Sequence, residues 1–211
     1  MTNRKLLLLG GGGHCKSILD SILSSGLYDD VGIIDEGTAA ALDVPVVGSD
    51  DDLTALFGKG WTDAFISVGS IGHTGLRRRL YGMVKQIGFH IPSIVDNTAV
   101  VSRGTQIGEG CFVGKKAVIN TDASLGCCAI VNTGAIVEHD CIVGDFSHIS
   151  PGAVLCGQVR IGHDTHIGAG AVVRQLISVG NDVLIGAGSV VVKNISDGET
   201  AYGNPCKVLE K

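Results

Sequence analysis

Aromatic residues are scarce in this chain, at 4% of 211 positions. Phe, Tyr and Trp supply much of the buried area of an ordinary core, so this core has to be assembled from small and branched side chains. A basic excess is also missing. The formal net charge is −5, which argues against a general nucleic-acid-binding surface. No apolar run reaches the roughly 18 residues of a membrane-spanning helix, so no span is predicted. The Leu run that follows Met1-Thr2-Asn3-Arg4-Lys5 is short and ends in glycines, so it reads as a buried strand and not as the core of an export signal. Seven cysteines make an odd number with no framework spacing. Without an export signal they are expected as free thiols in a reducing cytoplasm.

What the chain has in quantity is glycine, 32 residues, together with a strict period. From Val95 to Val191 every sixth residue is Ile, Leu or Val, seventeen in succession without a slip of frame. Two places before each of these stands a mostly small residue, among them Cys111, Ala117, Ala123, Ala129, Ala135, Cys141 and Ala153. Directly after them stands glycine at eight of the seventeen places, with Asp96, Asn120 and Asn132 at others. A period of six fits neither the 3.6 of a helix nor the 2 of a free strand. It fits a coiled solenoid with short rungs and a turn every six residues. Glycine and asparagine tolerate the positive φ such turns need, and the aliphatic residues stack into one continuous core. Cys111 and Cys141 fall in the small-residue frame and are expected to face inward.

On these residues the stretch resembles the hexapeptide-repeat acyltransferases. The resemblance implies a left-handed parallel β-helix of triangular section, with three hexapeptides to a coil and five to six coils in all. The same fold also carries carbonic anhydrases and structural modules, so function has to be read from the outward-facing residues.

The part in front of the repeat has a different grain. Lys5 to Leu9 is an apolar run that opens onto Gly10-Gly11-Gly12-Gly13-His14. An amphipathic segment follows from Lys16 to Ser25, and Val31 to Ile34 then leads into Asp35-Glu36. This is a strand, glycine loop, helix and strand with an acid at the second strand's tip. The N–H groups of such a loop can cradle a phosphate, and the acid is placed for a ribose hydroxyl. Read as G-x-G-x-x-G from Gly10, the fingerprint has Cys15 where its third glycine should be. A nucleotide or nucleotide-sugar site is therefore favoured over a dinucleotide site, with a glycine turn that merely packs as the bland alternative. Short strands are expected at Val44–Gly48 and Ala64–Gly69, and helices at Asp50–Phe57 and Leu76–Gly88. Arg77-Arg78-Arg79 on the last helix reads as a solvated face. The organisation expected is a Rossmann-like α/β domain over residues 1–92, a left-handed parallel β-helix over 93–195, and a C-terminal segment over 196–211 that leaves the repeat.

One region of the repeat is rich in polar groups without losing its frame: Asn132-Thr133-Gly134-Ala135-Ile136-Val137-Glu138-His139-Asp140-Cys141, with His148 nine residues after His139. Since the core positions stay aliphatic, these polar residues are expected to face outward and both histidines to be accessible. A carboxylate next to an imidazole fixes its tautomer and raises its basicity. Acyl transfer to an amine or hydroxyl needs such a base. The string from Asn132 through Ala153 resembles the group of sialic acid O-acetyltransferases and UDP-4-amino-sugar N-acetyltransferases, and the resemblance extends from Leu6 to Lys207.

That resemblance implies roles. His139 would be the general base and Asp140 its partner. His148 would contact acetyl-CoA, with Ala169 and Ala187 binding it through the main chain and Gly157 facing the thioester oxygen. Gly10, Gly11, Gly12, His14, Asp35 and Glu36 would hold the nucleotide sugar, and Asn132, in the same pocket as His148, would be a further substrate-binding residue. Tyr202-Gly203-Asn204-Pro205-Cys206-Lys207 would lie near coenzyme A. The resemblance also implies a homotrimer, acetyl-CoA as co-substrate and no metal. The activity implied is acetylation of the amino group of a nucleotide-linked amino sugar. O-acetylation of sialic acid or another sugar is the alternative, and a non-catalytic binding module a remote one. A zinc hydratase would need three converging histidines. His139, His148, His163 and His166 do not have that spacing, and His163-Asp164-Thr165-His166 reads as surface. A nucleophilic Cys141 or Cys156 is the rival to a histidine base.

Overall fold

The computed structural model describes residues 4–37 and 42–209. The outermost residues of the expected segments, 1–3 and 210–211, lie outside them. The chain forms two compact units, Met1–Ser70 with Gly75–Ile94, and Ile71–Thr74 with Val95–Lys211.

The first unit is a parallel α/β sheet. Strands β1 (Lys5–Leu9), β2 (Asp30–Ile34), β3 (Val46–Gly48) and β4 (Asp63–Ile66) lie in the order β3-β2-β1-β4. Leu6 to Leu9 are all buried, as in the central strand of a sheet covered on both faces. Helix α1 (Gly13–Ser25) buries Cys15, Ile18, Leu19 and Ile22, an i, i+3, i+4, i+7 stripe. It ends at Gly26 in the left-handed conformation. Asp50–Asp52 form a short 3-10 turn ahead of α2 (Leu53–Gly58), and the Ser49 capping box starts it. Helix α3 (Gly75–Ile87) buries Arg77, Leu80 and Val84. Arg77 is 2% exposed, so the arginine triplet is not a uniform solvated face. The reason is spacing: Arg77 stands at i, i+3, i+7 with Leu80 and Val84, on the inner stripe, while Arg78 and Arg79 fall outside it.

The second unit is the left-handed parallel β-helix. Two-residue rungs recur every six residues, from Ile94–Val95 to Val190–Val191, and pair in parallel with the rung eighteen residues on, as Ser124 does with Ile142 and His148 with His166. They build sheets of five, eight and six strands, one to each face. The aliphatic frame and the small frame two places before it fill the interior, with Cys111, Val113, Ala135, Val137, Cys141 and Val143 all buried. Val95 and Val101, in the first coil, are instead exposed at their outer side. Toward the other end the spacing shortens: Leu184 pairs with Thr200, sixteen residues on. Thr200–Tyr202 and Lys207–Val208 then extend the eight-stranded face.

The turn residues depart from expectation. The left-handed position is the third after each aliphatic, at Lys116, Asp122, Cys128, Asp140, Phe146, Gln158, Asp164, Leu176 and Asp182, with Gly134, Gly152, Gly170 and Gly188 in the same frame. The glycines directly after the aliphatics do not have positive φ. They are small because consecutive coils touch there. A Cβ on Gly144 would stand 2.6 Å from the backbone of Gly162 and His163. Among the described residues no helix is long and apolar enough to cross a membrane.

Candidate active site

In the α/β unit the glycine loop is held by the acid at the tip of β2. Gly11 N–H donates to Asp35 Oδ2 at 2.7 Å, and Gly10 N–H donates to the Ile34 carbonyl at 2.9 Å. One Asp35 oxygen is thus engaged by the loop. Gly10 takes φ 99 beside Val68, where a Cβ would stand 2.5 Å from Val68 Cγ2. Gly10, Asp35 and Glu36 line a cavity of about 250 Å³ with Asp50, Arg79 and Leu80. Arg79 reaches Asp50 at 3.4 Å. Gly12 caps α1, and His14 stands in its first turn. Burial, with the charge of Arg77 second, pushes the His14 pKa down to about 4, so its imidazole is neutral at physiological pH.

On the β-helix, His139 lies in the turn between the Ile136–Val137 rung of the six-stranded face and the Ile142–Val143 rung of the five-stranded face. Its side chain is 56% exposed, and Nδ1 lies 2.8 Å from Asp140 Oδ2. An ionised carboxylate only accepts, so Nδ1 carries the proton and Nε2 is left as the free acceptor. Asp140 reaches back to its neighbour because it occupies the left-handed corner, at φ 58. Its hydrogen bond is the main reason the imidazole pKa is raised, with the charges of Asp140 and Glu138 adding to it. Glu138 Oε2 also accepts from the His139 N–H at 3.3 Å and from Asn120 Nδ2 at 3.0 Å. Gly157 lies one coil on, and a Cβ there would stand 2.5 Å from His139 Nε2. Its break in the glycine phase therefore makes room for the imidazole. Among the described residues the Gly157 N–H has no intrachain acceptor. Asp140, Gln158, Arg160, Leu176 and Ser178 line a cleft of about 380 Å³ beside the pair. Cys141 faces inward and donates to the Cys156 carbonyl, and burial pushes its thiol up to about 11. That disfavours a thiolate nucleophile.

His148 is elsewhere. It sits in the middle of the eight-stranded face, opposite the edge that carries His139. Contrary to expectation it is not freely accessible: it is 8% exposed. The residue stands on a strand whose neighbours cover it. Asn132 Nδ2 lies 3.1 Å from its Nε2, and the His166 ring meets it edge-on at 5.0 Å. Asn132 thus pairs with His148, on the turn between the eight- and six-stranded faces, and one chain does not bring it to the His139 pocket. His148, Ala169 and Ala187 do come together. They line an apolar groove of about 430 Å³ with His166, Ser150 and Ile71. The N–H groups of Ala169 and Ala187 have no intrachain acceptor among the described residues.

Contrary to expectation the run from His163 to His166 is not a surface feature. His163 is exposed, but Asp164, Thr165 and His166 are buried, Thr165 in the inward small-residue frame, with His166 facing Ser150 and His163 facing Asp164. His163, Asp164 and Asp182 place potential ligand atoms within 4.8 Å of one another. Asp164, however, already bonds His163 with one oxygen and Thr74 with the other, a pattern that accounts for the cluster as a structural pin. Sequence reasoning placed Glu138 in the polar stretch but gave it no role, and it missed Ser150, Ile71 and the inward turn of Arg77. Of the missed residues only Arg77 had a sequence signal, its helical spacing from Leu80 and Val84.

Comparison with known proteins fits this layout. Residues 5–84 match the PglD N-terminal domain family, and residues 141–175 match the bacterial transferase hexapeptide (six repeats). No curated protein sequence matches significantly. Among solved structures, the acetyltransferase domain of PglB from Neisseria gonorrhoeae, in complex with acetyl coenzyme A, is 39% identical over 98% of this chain and 100% of that one, with a TM-score of 0.92. A GDP-perosamine N-acetyltransferase from Caulobacter crescentus, solved as a histidine-to-alanine variant with CoA and GDP-perosamine, is 36% identical over 98% and 97%, also with a TM-score of 0.92. WeeI from Acinetobacter baumannii, at 22% identity over 98% and 100%, shares the fold with a TM-score of 0.86. Identity at this level over nearly the full length of both chains means that the protein belongs to the hexapeptide-repeat sugar N-acetyltransferases, in which a PglD-type N-terminal domain precedes a left-handed β-helix.

Proposed function

We propose that the protein transfers the acetyl group of acetyl-CoA to the amino group of a nucleotide-linked amino sugar, of the UDP-4-amino-4,6-dideoxy type, with His139 as general base. The observation that carries this reading is the exposed His139, its Nδ1 tied to Asp140 and its Nε2 free. The neutral sugar amine attacks the thioester carbonyl and a C–N bond forms. Nε2 takes the amine proton, and Asp140 steadies the imidazolium. The tetrahedral intermediate collapses, the C–S bond breaks, and the proton passes to the departing thiolate. The Gly157 N–H is the proposed donor to the oxyanion.

The glycine loop and Asp35-Glu36 are the proposed nucleotide-sugar site. The groove of His148, Ala169 and Ala187 is the proposed coenzyme site, on its apolar lining and the open N–H groups of Ala169 and Ala187, and a relative crystallised with acetyl coenzyme A supports that co-substrate. The dyad and the groove occupy opposite sides of one β-helix, so a complete site needs a second copy. We assign a homotrimer in which His139 of one chain faces the groove of the next.

A thiol-release assay with acetyl-CoA tests the function against a panel of UDP- and GDP-linked amino sugars, with free sialic acid and serine as controls. Turnover is expected with a UDP-amino sugar. Turnover with only a GDP-amino sugar, the ligand class of the Caulobacter relative, would correct the nucleotide. No release with any amino sugar would sink the reading. His139→Ala is expected to lower kcat on the order of 10²–10⁴-fold in a folded protein.

A further inference from the structure

The segment Ile71–Thr74 belongs to the β-helix unit, although the chain on either side of it does not. Two fastenings hold it there. The Thr74 hydroxyl donates to Asp164 Oδ1, while Asp164 Oδ2 is held by His163 Nδ1 at 2.6 Å. Gly72 takes φ 71, and a Cβ on it would stand 2.9 Å from Leu184 Cδ1. Only glycine combines that dihedral with so close an approach. Ile71, next to these anchors, is 75% exposed, more than any other large hydrophobic residue described. It is not a stray surface residue, because it continues the apolar wall that Leu184, Ala169 and Ala187 give the groove. The Thr74–Asp164 contact and the close approach of Gly72 to Leu184 hold its backbone beside the groove.

We propose that Ile71 binds the acyl-thioester arm of acetyl-CoA in this groove, and that Thr74 and Asp164 are positioning residues that hold it in place. The inference rests on the reading of the groove as the coenzyme site. The arm alternates methylene segments with amides before ending in the thioester. An apolar wall beside it gains from the methylenes, and the N–H groups of Ala169 and Ala187 meet its carbonyl groups. Asp164 is itself 8% exposed and makes its contacts from a corner of the β-helix, so the anchor for Thr74 is a buried carboxylate.

The test uses the full-length protein and two readouts: direct titration with acetyl-CoA, and steady-state kinetics with each substrate varied in turn. Ile71→Ser is expected to weaken acetyl-CoA binding and raise its KM by roughly tenfold. The KM for the sugar should stay within about twofold, and kcat should be nearly unchanged. Thr74→Val should move the same KM in the same direction by several-fold, and Thr74→Ser, which keeps the hydroxyl, should restore it. If the wild type binds acetyl-CoA and Ile71→Ser binds it equally well, the role of Ile71 is overturned while the groove stands. A rise in the sugar KM in place of the acetyl-CoA KM overturns it as well. If the wild type binds no acetyl-CoA, the groove reading falls and the inference falls with it.

Discussion

At the scale of the residue, two histidines show how environment divides one side chain into opposite roles. His139 is exposed on its own chain with a carboxylate on Nδ1, and its pKa is raised chiefly by that bond. A base must be neutral to act, so activity should fall as pH drops through this raised pKa. Asp140→Asn removes the cause. Its kcat should be lower by roughly 10²-fold, and its acid limb should move to lower pH. A pH–rate profile whose limb stays in place would detach the limb from His139. His14 is the reverse case, with its pKa pushed down to about 4 by burial and by Arg77. The unfolded chain then binds the proton more readily than the folded one. The contribution to stability is fully present above the unfolded value near 6.5 and is lost as pH falls from there through 4. It is on the order of 3 kcal/mol. His14→Gln should flatten this slope in urea unfolding measured between about pH 7.5 and 4.5, and an unchanged slope would assign the loss to other groups.

At the scale of the element, glycine has two separate jobs in the β-helix. In the left-handed corner it relieves a dihedral, but Asp, Lys, Gln and even Leu also occupy that corner. Gly152→Ala, with open space around its Cβ, should cost only about 1 kcal/mol. Gly144→Ala instead drives a methyl into the backbone of the next coil and should cost several kcal/mol, or prevent folding. Thermal melts of the two variants check the order. Gly157→Ala belongs to neither class. Its methyl would displace the His139 imidazole, so kcat should fall by roughly 10²-fold while the melting temperature barely moves.

The six-residue frame made the rungs, the inward pairs and the exposed His139 readable without coordinates. It could not separate the two glycine jobs. Contact between Gly144 and Gly162 is a relation across one coil, and the glycine-rich place in the repeat is not the place with the unusual dihedral. Burial of His148 escaped for the same reason, since its cover comes from Asn132 and from His166 one coil away. His139 and Asp140 were visible because they are neighbours in the chain and need no register to meet.

At the scale of the whole molecule, the decisive point is that a triangular prism cannot fold its own edge onto its opposite face. His139 leaves the turn between the six- and five-stranded faces, while the groove of His148, Ala169 and Ala187 opens on the eight-stranded face. If both serve one reaction, they come from different copies, and the consequence is testable by complementation. His139→Ala destroys the base and leaves the groove intact. Ala187→Trp fills the groove and leaves the base intact. Each variant alone should be inactive. In the proposed trimer, assembled at random from equal amounts of the two, a working site needs its base from an Ala187→Trp chain and its groove from a His139→Ala chain. Each choice has a chance of one half, so about a quarter of the sites should recover wild-type turnover. Co-expression followed by a thiol-release assay on the purified mixed trimer reads this fraction. A site contained within one chain predicts zero recovery at every mixing ratio, because each chain then lacks one half of its own machinery.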